Sequence, residues 1–242
     1  TLRGLAMTVD MNGRYVELDP RRGALLGVLE AARNLVCVGA EPKATTDCLN
    51  FGSPERPEVM WSLVEAIEGL AEGCRLLETP VVSGNASLYN ETEGRAILPT
   101  PTIGMVGVVE DVTRRPGMGF RADGDRIVLL GALDQVALGG SEIVLMETGE
   151  LRGRPAVPDV ARARSVHAAC LQAARAGYLA SAHDAAEGGL LVALAESAIA
   201  GGRGAQVSLP ERVGLLELFG EGPSLIVVST SRPEDVSAVA EA

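Results

Sequence analysis

Between Thr46 and Thr92 two apolar, strand-like runs are held apart by one long amphipathic segment. That spacing constrains the fold more than any other feature of the chain. The stretch reads TDCLNFGSPERPEVMWSLVEAIEGLAEGCRLLETPVVSGNASLYNET. Lys43–Leu49 is the first predicted strand and carries Asp47 near its end. Glu58–Leu77 is a predicted helix, with Met60, Leu63, Val64, Ile67, Leu70, Ala71 and Cys74 on one stripe and Glu65, Glu68, Glu72 and Arg75 outside it. Pro57 suits a first helical position, and Asn50–Pro57 reads as a loop. The second strand, Pro80–Leu88, delivers Gly84, Asn85 and Ser87. Small polar residues at two strand ends suit a magnesium–nucleotide site. Magnesium takes one or two protein oxygens alongside those of phosphate.

The rest of the pattern alternates in the same way. Met7–Leu18 predicts two short strands around an Asn12-Gly13 turn. Gly23–Val38 predicts a helix with Leu25, Leu29, Ala32 and Val36 on one face, ended by Gly39. Short strands are expected at Ala96–Leu98 and Thr102–Val109. At Asp111–Pro116 the composition turns to Thr, Arg and Pro, which divides the chain into residues 1–112 and 113–242. Beyond it the expected elements are a strand at Arg126–Leu130, a Gly-rich loop at Leu138–Ser141, helices at Val160–Ala176 and Gly189–Ala200, and a strand at Ser224–Ser229. Alternating strands and helices predict an α+β or α/β layer architecture.

Composition narrows the function. A hydrophobic content of 47% is ample for a large core. No apolar run approaches the roughly 18 residues of a membrane span, and no secretory cassette is present, so a cytoplasmic location is expected. Thr1 stands where an initiator methionine would, as expected of a processed or excised chain. Cys37, Cys48, Cys74 and Cys170 form no C-x-x-C pair, which argues against structural zinc and for reduced thiols. A net charge of −11 with Lys43 as the sole lysine makes free nucleic acid a poor partner. A small phosphorylated ligand fits only if metal ions offset the repulsion.

Read singly, most of the polar positions have two meanings. Asp47 either touches a ligand or caps the turn through Asn50 and Gly52. Gly84 lets a ligand approach the backbone, Asn85 offers a carbonyl oxygen to a hard cation, and Ser87 shares a strand face with Asn85; the same four residues can equally form a bulge. Glu30 and Asn34 are four apart and share a helix face, either as a solvated stripe or as ligands. His183-Asp184-Ala185-Ala186-Glu187-Gly188-Gly189 precedes a helix, and a helix start preceded by glycine is an anion site. His183 itself reads as a structural hydrogen-bonder and Lys43 as a surface residue. Only His167 and His183 are available as acid–base groups near neutrality, and neither lies in a catalytic context.

TDCLNFGSPE, VVSGNASLYNET and PTPTIGMVGVVED closely resemble the second half of the large subunits of phosphoribosylformylglycinamidine synthases, within the aminoimidazole ribonucleotide synthetase superfamily. The similarity is dense from Ala31 to Asp111 and looser from Thr113 onward. DCLNFG with SLYNET points away from the related selenophosphate synthetases and thiamine-phosphate kinases. The resemblance implies a ferredoxin-like α+β N-terminal domain followed by a C-terminal α/β sandwich domain. It implies an ATP-dependent ligase of purine biosynthesis, joining glutamine-derived ammonia to formylglycinamide ribonucleotide. ATP phosphorylates the amide oxygen, and ammonia then displaces phosphate to give the amidine. Asp47 and Gly84 would contact ATP, Asn85 would bind Mg2+, and Ser87 would contact the ribonucleotide.

Asp10, Glu30, Asn34 and Asp184 would hold magnesium at an auxiliary nucleotide pocket, with Asp19 competing for the role of Asp10. Ala186 and Glu187 replace the family's usual Ser and Asp there. Phe219–Ser224 resembles a substrate motif with Pro223 in place of Gln, so a structural role is expected, and Leu138–Ser141 resembles a family loop. The family's S-H-N-H histidine motif, in its first module, is absent. The expected partners are therefore that N-terminal module of the same polypeptide, a glutaminase subunit and a small accessory subunit. Alone, the chain is expected to be inactive and to form a homodimer. The alternative is a non-catalytic nucleotide-binding or assembly module.

Overall fold

The computed structural model describes residues 1–209 and 213–241. The chain builds two sheets joined through one buried helix. β1 (Gly4–Asp10) leads to a short helix α1 (Gly13–Leu18), then to α2 (Pro20–Cys37), β2 (Ala40–Asn50), α3 (Pro57–Leu76) and β3 (Val81–Ser87). A small hairpin of β4 (Glu91–Thr92) and β5 (Arg95–Ala96) precedes β6 (Thr100–Val109). These strands form a four-stranded sheet in the order β1-β6-β2-β3, with β2 and β3 parallel and the β6 pairings antiparallel. The second half contains β7 (Arg126–Leu130), α4 (Glu142–Thr148), α5 (Val160–Ala176), β8 (Ser181–Asp184), α6 (Gly189–Gly201), α7 (Leu215–Phe219), β9 (Ile226–Thr230) and α8 (Pro233–Glu241). Its sheet runs β7-β9-β8 and is antiparallel throughout. One face is covered by α5 and α8 through Val166, Cys170, Ala173 and Val236, the other by α6 through Leu190, Ala193 and Leu194.

Helix α2 is the centre of the molecule. Asp19 caps it by accepting from the Arg22 amide, and Pro20 fills its first turn. Fourteen of its 18 residues are buried, so it is apolar almost all round and cannot lie on a surface. Val28, Ala31, Ala32 and Leu35 pack in the core of the first sheet, while Val36 and Cys37 belong to the core of the second. The helix thus contributes to the cores of both halves.

Two expectations are corrected. The expected strand pair over Met7–Leu18 does not form: β1 ends at Asp10, and Asn12 is the cap of α1, its side chain accepting from the Arg14 amide at 3.0 Å. An Asn-Gly pair serves a helix start as well as a hairpin. The apolar stripe of α3 is also rotated. Leu63, Ala66, Leu70 and Cys74 face the core, but Met60, Val64 and Ile67 are exposed, with Trp61 59% exposed beside them. The buried face is the smooth one. A Cβ on Gly69 would meet the Arg21 carbonyl at 2.1 Å and one on Gly73 the Val28 side chain at 2.9 Å. Close approach to α2 therefore selects glycine over the larger residues.

The first sheet is packed on one face only. Ile103 and Met105 of β6 point to the helices, whereas Leu5, Met7 and Val9 of β1 are 75%, 81% and 73% exposed on the opposite face. Helices long and apolar enough to cross a membrane are absent among the described residues.

Candidate functional site

The parallel pairing of β2 with β3 aligns Asp47 with Gly84, Cys48 with Asn85, and Asn50 with Ser87. Alternation along a strand divides these residues between the two faces. Asp47 pairs with Ile103 across β6 and shares the helix-side face with it. Gly84 lies on that same side. A Cβ placed there would stand 3.0 Å from both Asp47 carboxylate oxygens. The missing side chain leaves the carboxylate clear toward the strand edge. Asn85 and Ser87 point to the open face, where the Asn85 Nδ2 lies 3.4 Å from Cys48 Sγ. The four residues therefore do not line one flat wall. β3 is an edge strand, exposed along most of its length, and the four groups flank its free edge from both sides.

Each group is positioned by its neighbours. Partial burial raises the Asp47 carboxyl above its ordinary range. Asn50 donates from Nδ2 to the Cys48 and Thr100 carbonyls at 2.8 and 2.9 Å, fixing the end of β2 against β6. Asn90 is a positioning residue that the sequence reading did not single out. Its Nδ2 donates to the Ser87 carbonyl at 2.7 Å, to Ser87 Oγ at 3.1 Å and to the Phe51 carbonyl at 3.2 Å. The chain reaches Asn90 through Tyr89, which holds a φ of +61°. A non-glycine residue in that region is strained and is retained where surrounding contacts demand it. The signal was present in SLYNET, but nothing local says that Asn90 turns back onto Ser87. The Asn85 carbonyl oxygen has no hydrogen-bond partner among the described residues, and an amide oxygen fits a magnesium ion that draws its remaining ligands from phosphate and water.

A second polar cluster lies between the two halves. The Asp10 carboxylate accepts from Asn34 Nδ2 at 2.7 Å and from Thr8 Oγ1 at 2.6 Å. Burial raises its carboxyl despite these bonds. Glu30 is enclosed beside it; burial above all, with neighbouring acids adding, pushes its carboxyl up to about 8 against the opposing pull of Arg33. Asp184 sits 3.3 Å from Arg33 Nη2. Burial acts to raise the Asp184 carboxyl, but the His183 hydrogen bond and the Arg33 charge outweigh it and hold it below its usual range. Asp19 caps α2, its side chain accepting from the Arg22 amide. His183 bonds Glu196 at 2.8 Å and is a structural hydrogen-bonder. Lys43 is exposed and paired with Glu41. The thiols of Cys37, Cys48, Cys74 and Cys170 are free.

The structure thus brings Asp10, Glu30, Asn34 and Asp184 together, with Arg33, Tyr15, Glu187 and Glu221 added around them. Arg33 adjoins Asn34 on α2 and Glu187 follows Asp184 by three residues, whereas Tyr15 and Glu221 come from opposite ends of the chain and no spacing rule points to their meeting. They change the chemistry of the cluster. Groups of three or more His, Cys, Asp or Glu side chains able to hold a metal ion are absent among the described residues. Of the residues expected to hold auxiliary magnesium, Asp184 is paired with Arg33, and Asp10 accepts from Asn34 and Thr8.

The N-terminal domain of AIR synthase related proteins matches residues 1–109, and the corresponding C-terminal domain matches residues 122–241. The chain belongs to the AIR synthase related family. It is 51% identical over 233 residues to phosphoribosylformylglycinamidine synthase subunit PurL of Moorella thermoacetica, a match covering 96% of this chain and 32% of that protein. It is 52% identical over 231 residues to the same subunit of Synechococcus sp. (strain JA-3-3Ab), covering 94% and 30%. This chain spans about a third of the length of these relatives. Among solved structures, Thermotoga maritima PurL complexed with FGAR superposes with a TM-score of 0.78 at 19% identity, over 99% of this chain and 40% of that one. The same protein complexed with ATP gives 0.67 at 24%, over 95% and 33%. These likenesses establish the AIR synthase-like α/β fold.

Proposed function

We propose that this chain supplies one strand edge of an ATP-dependent site that makes formylglycinamidine ribonucleotide from formylglycinamide ribonucleotide and glutamine-derived ammonia. The observation that carries this reading is the set Asp47, Gly84, Asn85 and Ser87 around the free edge of β3, beside an apolar sheet face left uncovered. Asp47 lies across the clearance at Gly84, where the nucleotide would pass. Ser87, held by Asn90, offers a hydroxyl to the ribonucleotide. Asn85 would hold Mg2+, which when bound offsets charge on the transferring phosphoryl group. The substrate amide oxygen takes the γ-phosphoryl of ATP with loss of ADP, and ammonia then displaces phosphate from that carbon.

The rest of the site would come from a homologous N-terminal module, as the threefold greater length of the relatives supports. The face bearing Leu5, Met7 and Val9 is where it would pack, since an apolar patch of this kind marks an association surface. In its absence a second copy of the chain would take its place. A glutaminase subunit and a small accessory subunit would complete a cytoplasmic assembly. The boundary between the halves would fall between residues 112 and 113.

Amidine formation with ammonia as donor tests the reading. The chain alone is expected to give no turnover, and adding the separately made N-terminal module should restore it. Turnover by the chain alone at the rate of a full-length enzyme would overturn the half-site.

A further inference from the structure

The junction between the halves holds both an acidic cluster and a helix start, the two features expected of the auxiliary nucleotide pocket. We infer that this pocket is filled by the chain's own charges and takes no nucleotide: Glu221 occupies the anion position at the start of α6, and Arg33 occupies the cation position facing Asp184.

Consider the anion position first. Gly188 and Gly189 hold φ values of +80° and +69°, a conformation that favours glycine. Helix starts of this kind attract phosphate. Here the Gly188 amide already donates to Glu221 Oε1 at 2.8 Å, the Glu142 amide donates to the same oxygen at 2.9 Å, and the Tyr15 hydroxyl bonds the other oxygen. The Gly-rich loop is committed as well. Ser141 Oγ donates to the Leu138 carbonyl at 2.7 Å, and Arg14 Nε donates to the Gly140 carbonyl at 3.2 Å. The Gly140 and Ser141 amides donate to the Arg152 and Leu138 carbonyls at 3.0 and 3.1 Å.

The cation position is settled by Arg33. Its guanidinium is 2% exposed, sits 3.3 Å from Asp184 and donates to the Gly222 carbonyl at 3.2 Å. A buried carboxylate needs a counter-charge, and here a side chain provides it where a metal ion otherwise would. Asp10 is satisfied by Thr8 and Asn34. Glu30 and the buried Nε of Arg33 face the remaining space without a partner among the described residues, and one carboxyl does not make a magnesium site. That space, lined by Tyr15, Glu30, Arg33, Glu187 and Glu221, measures about 20 Å³. It admits one water, whereas ligand pockets run to several hundred Å³. Tethered charges also compete at a high effective concentration against any free nucleotide. Tyr15 and Arg33 come from the first half, Glu221 and Asp184 from the second, so the filled pocket acts as an internal clasp.

Two measurements test this. In the unaltered chain, millimolar magnesium–ADP should leave hydrogen exchange of residues 24–37 and 181–201 unchanged; protection confined to residues 81–87 would report the open edge of β3 and supports the inference. In Glu221→Ala, Tm should fall by on the order of 10 °C, the effect of opening a buried charge network. Inorganic phosphate should then recover part of that loss, more than sodium chloride of equal ionic strength and more than in the unaltered chain. Protection of residues 24–37 and 181–201 by magnesium–ADP, an unchanged Tm in the variant, or equal phosphate responses would each overturn the inference. If the variant does not fold, the exchange measurement decides alone.

Discussion

The free edge of β3 and the junction around Glu30 contain the same kinds of residue in opposite states. At the edge, carboxylate, amide and hydroxyl stand beside exposed backbone, and the Asn85 carbonyl oxygen is unclaimed. At the junction Asp10, Arg33, Asp184 and Glu221 are paired with groups from the same chain, and Glu30 and the Arg33 Nε are not. Residue type alone does not distinguish them. What separates a binding site from a structural one is whether its donors and acceptors are already spent, and that depends in part on contacts such as Arg33 with Asp184 and Tyr15 with Glu221, more than a hundred positions apart.

This contrast predicts that edge substitutions change activity and leave stability alone, while junction substitutions do the reverse. The largest effect is expected for Asn85→Ala in a full-length enzyme. Its kcat/KM should fall roughly 100-fold or more, with Tm unchanged; equal activity would place magnesium elsewhere.

Next comes the pH dependence of stability, read by urea unfolding. Burial pushes Glu30 up to about 8, so folding favours its protonated form, and that contribution is lost as pH rises from the ordinary carboxyl value toward 8. Burial, with the Arg33 charge adding, pushes His167 down to about 3, so its contribution is lost as pH falls from about 6.5 toward 3. The two limbs predict greatest stability near pH 5–6. Glu30→Gln should flatten the alkaline limb and leave the acid limb intact.

Gly84→Ala is a smaller and sharper test. Its Cβ would press on the Asp47 carboxylate, whose flexible end can swing away. We expect on the order of a tenfold loss in kcat/KM for ATP with little change in Tm. Lys43→Ala is the mildest case. Its surface pair with Glu41 should shift Tm by less than about 2 °C and leave activity as it was.

The elements most legible in the sequence are those with local punctuation. Val160–Ala176 has Asp159 accepting from the Arg162 amide at one end and Gly177 in the left-handed conformation at the other, and its observed limits match the expected ones. Arg126–Leu130 was equally plain from its unbroken apolar run. β1 was harder. Its partner is β6, paired from Gly4 with Val109 to Asp10 with Ile103, and nothing near Asn12 records that distant register. β8 has only four residues, Ser-Ala-His-Asp, and gains strand character from β9 rather than from its own composition. The edge residues were readable because their chemistry and their strand-end position coincide. Tyr15, Arg33 and Glu221 were not, since an arginine inside a helix and a glutamate in a Gly-Pro loop carry no mark of their meeting.

Helix α2 has a consequence for how the molecule comes apart. Because Val36 and Cys37 pack among Val166, Cys170 and Ile226, severing the peptide between Asp111 and Ala122 would not liberate two bodies. The nicked fragments should stay associated through gel filtration and melt as one transition, the first fragment carrying away part of the interior that the second requires to remain folded.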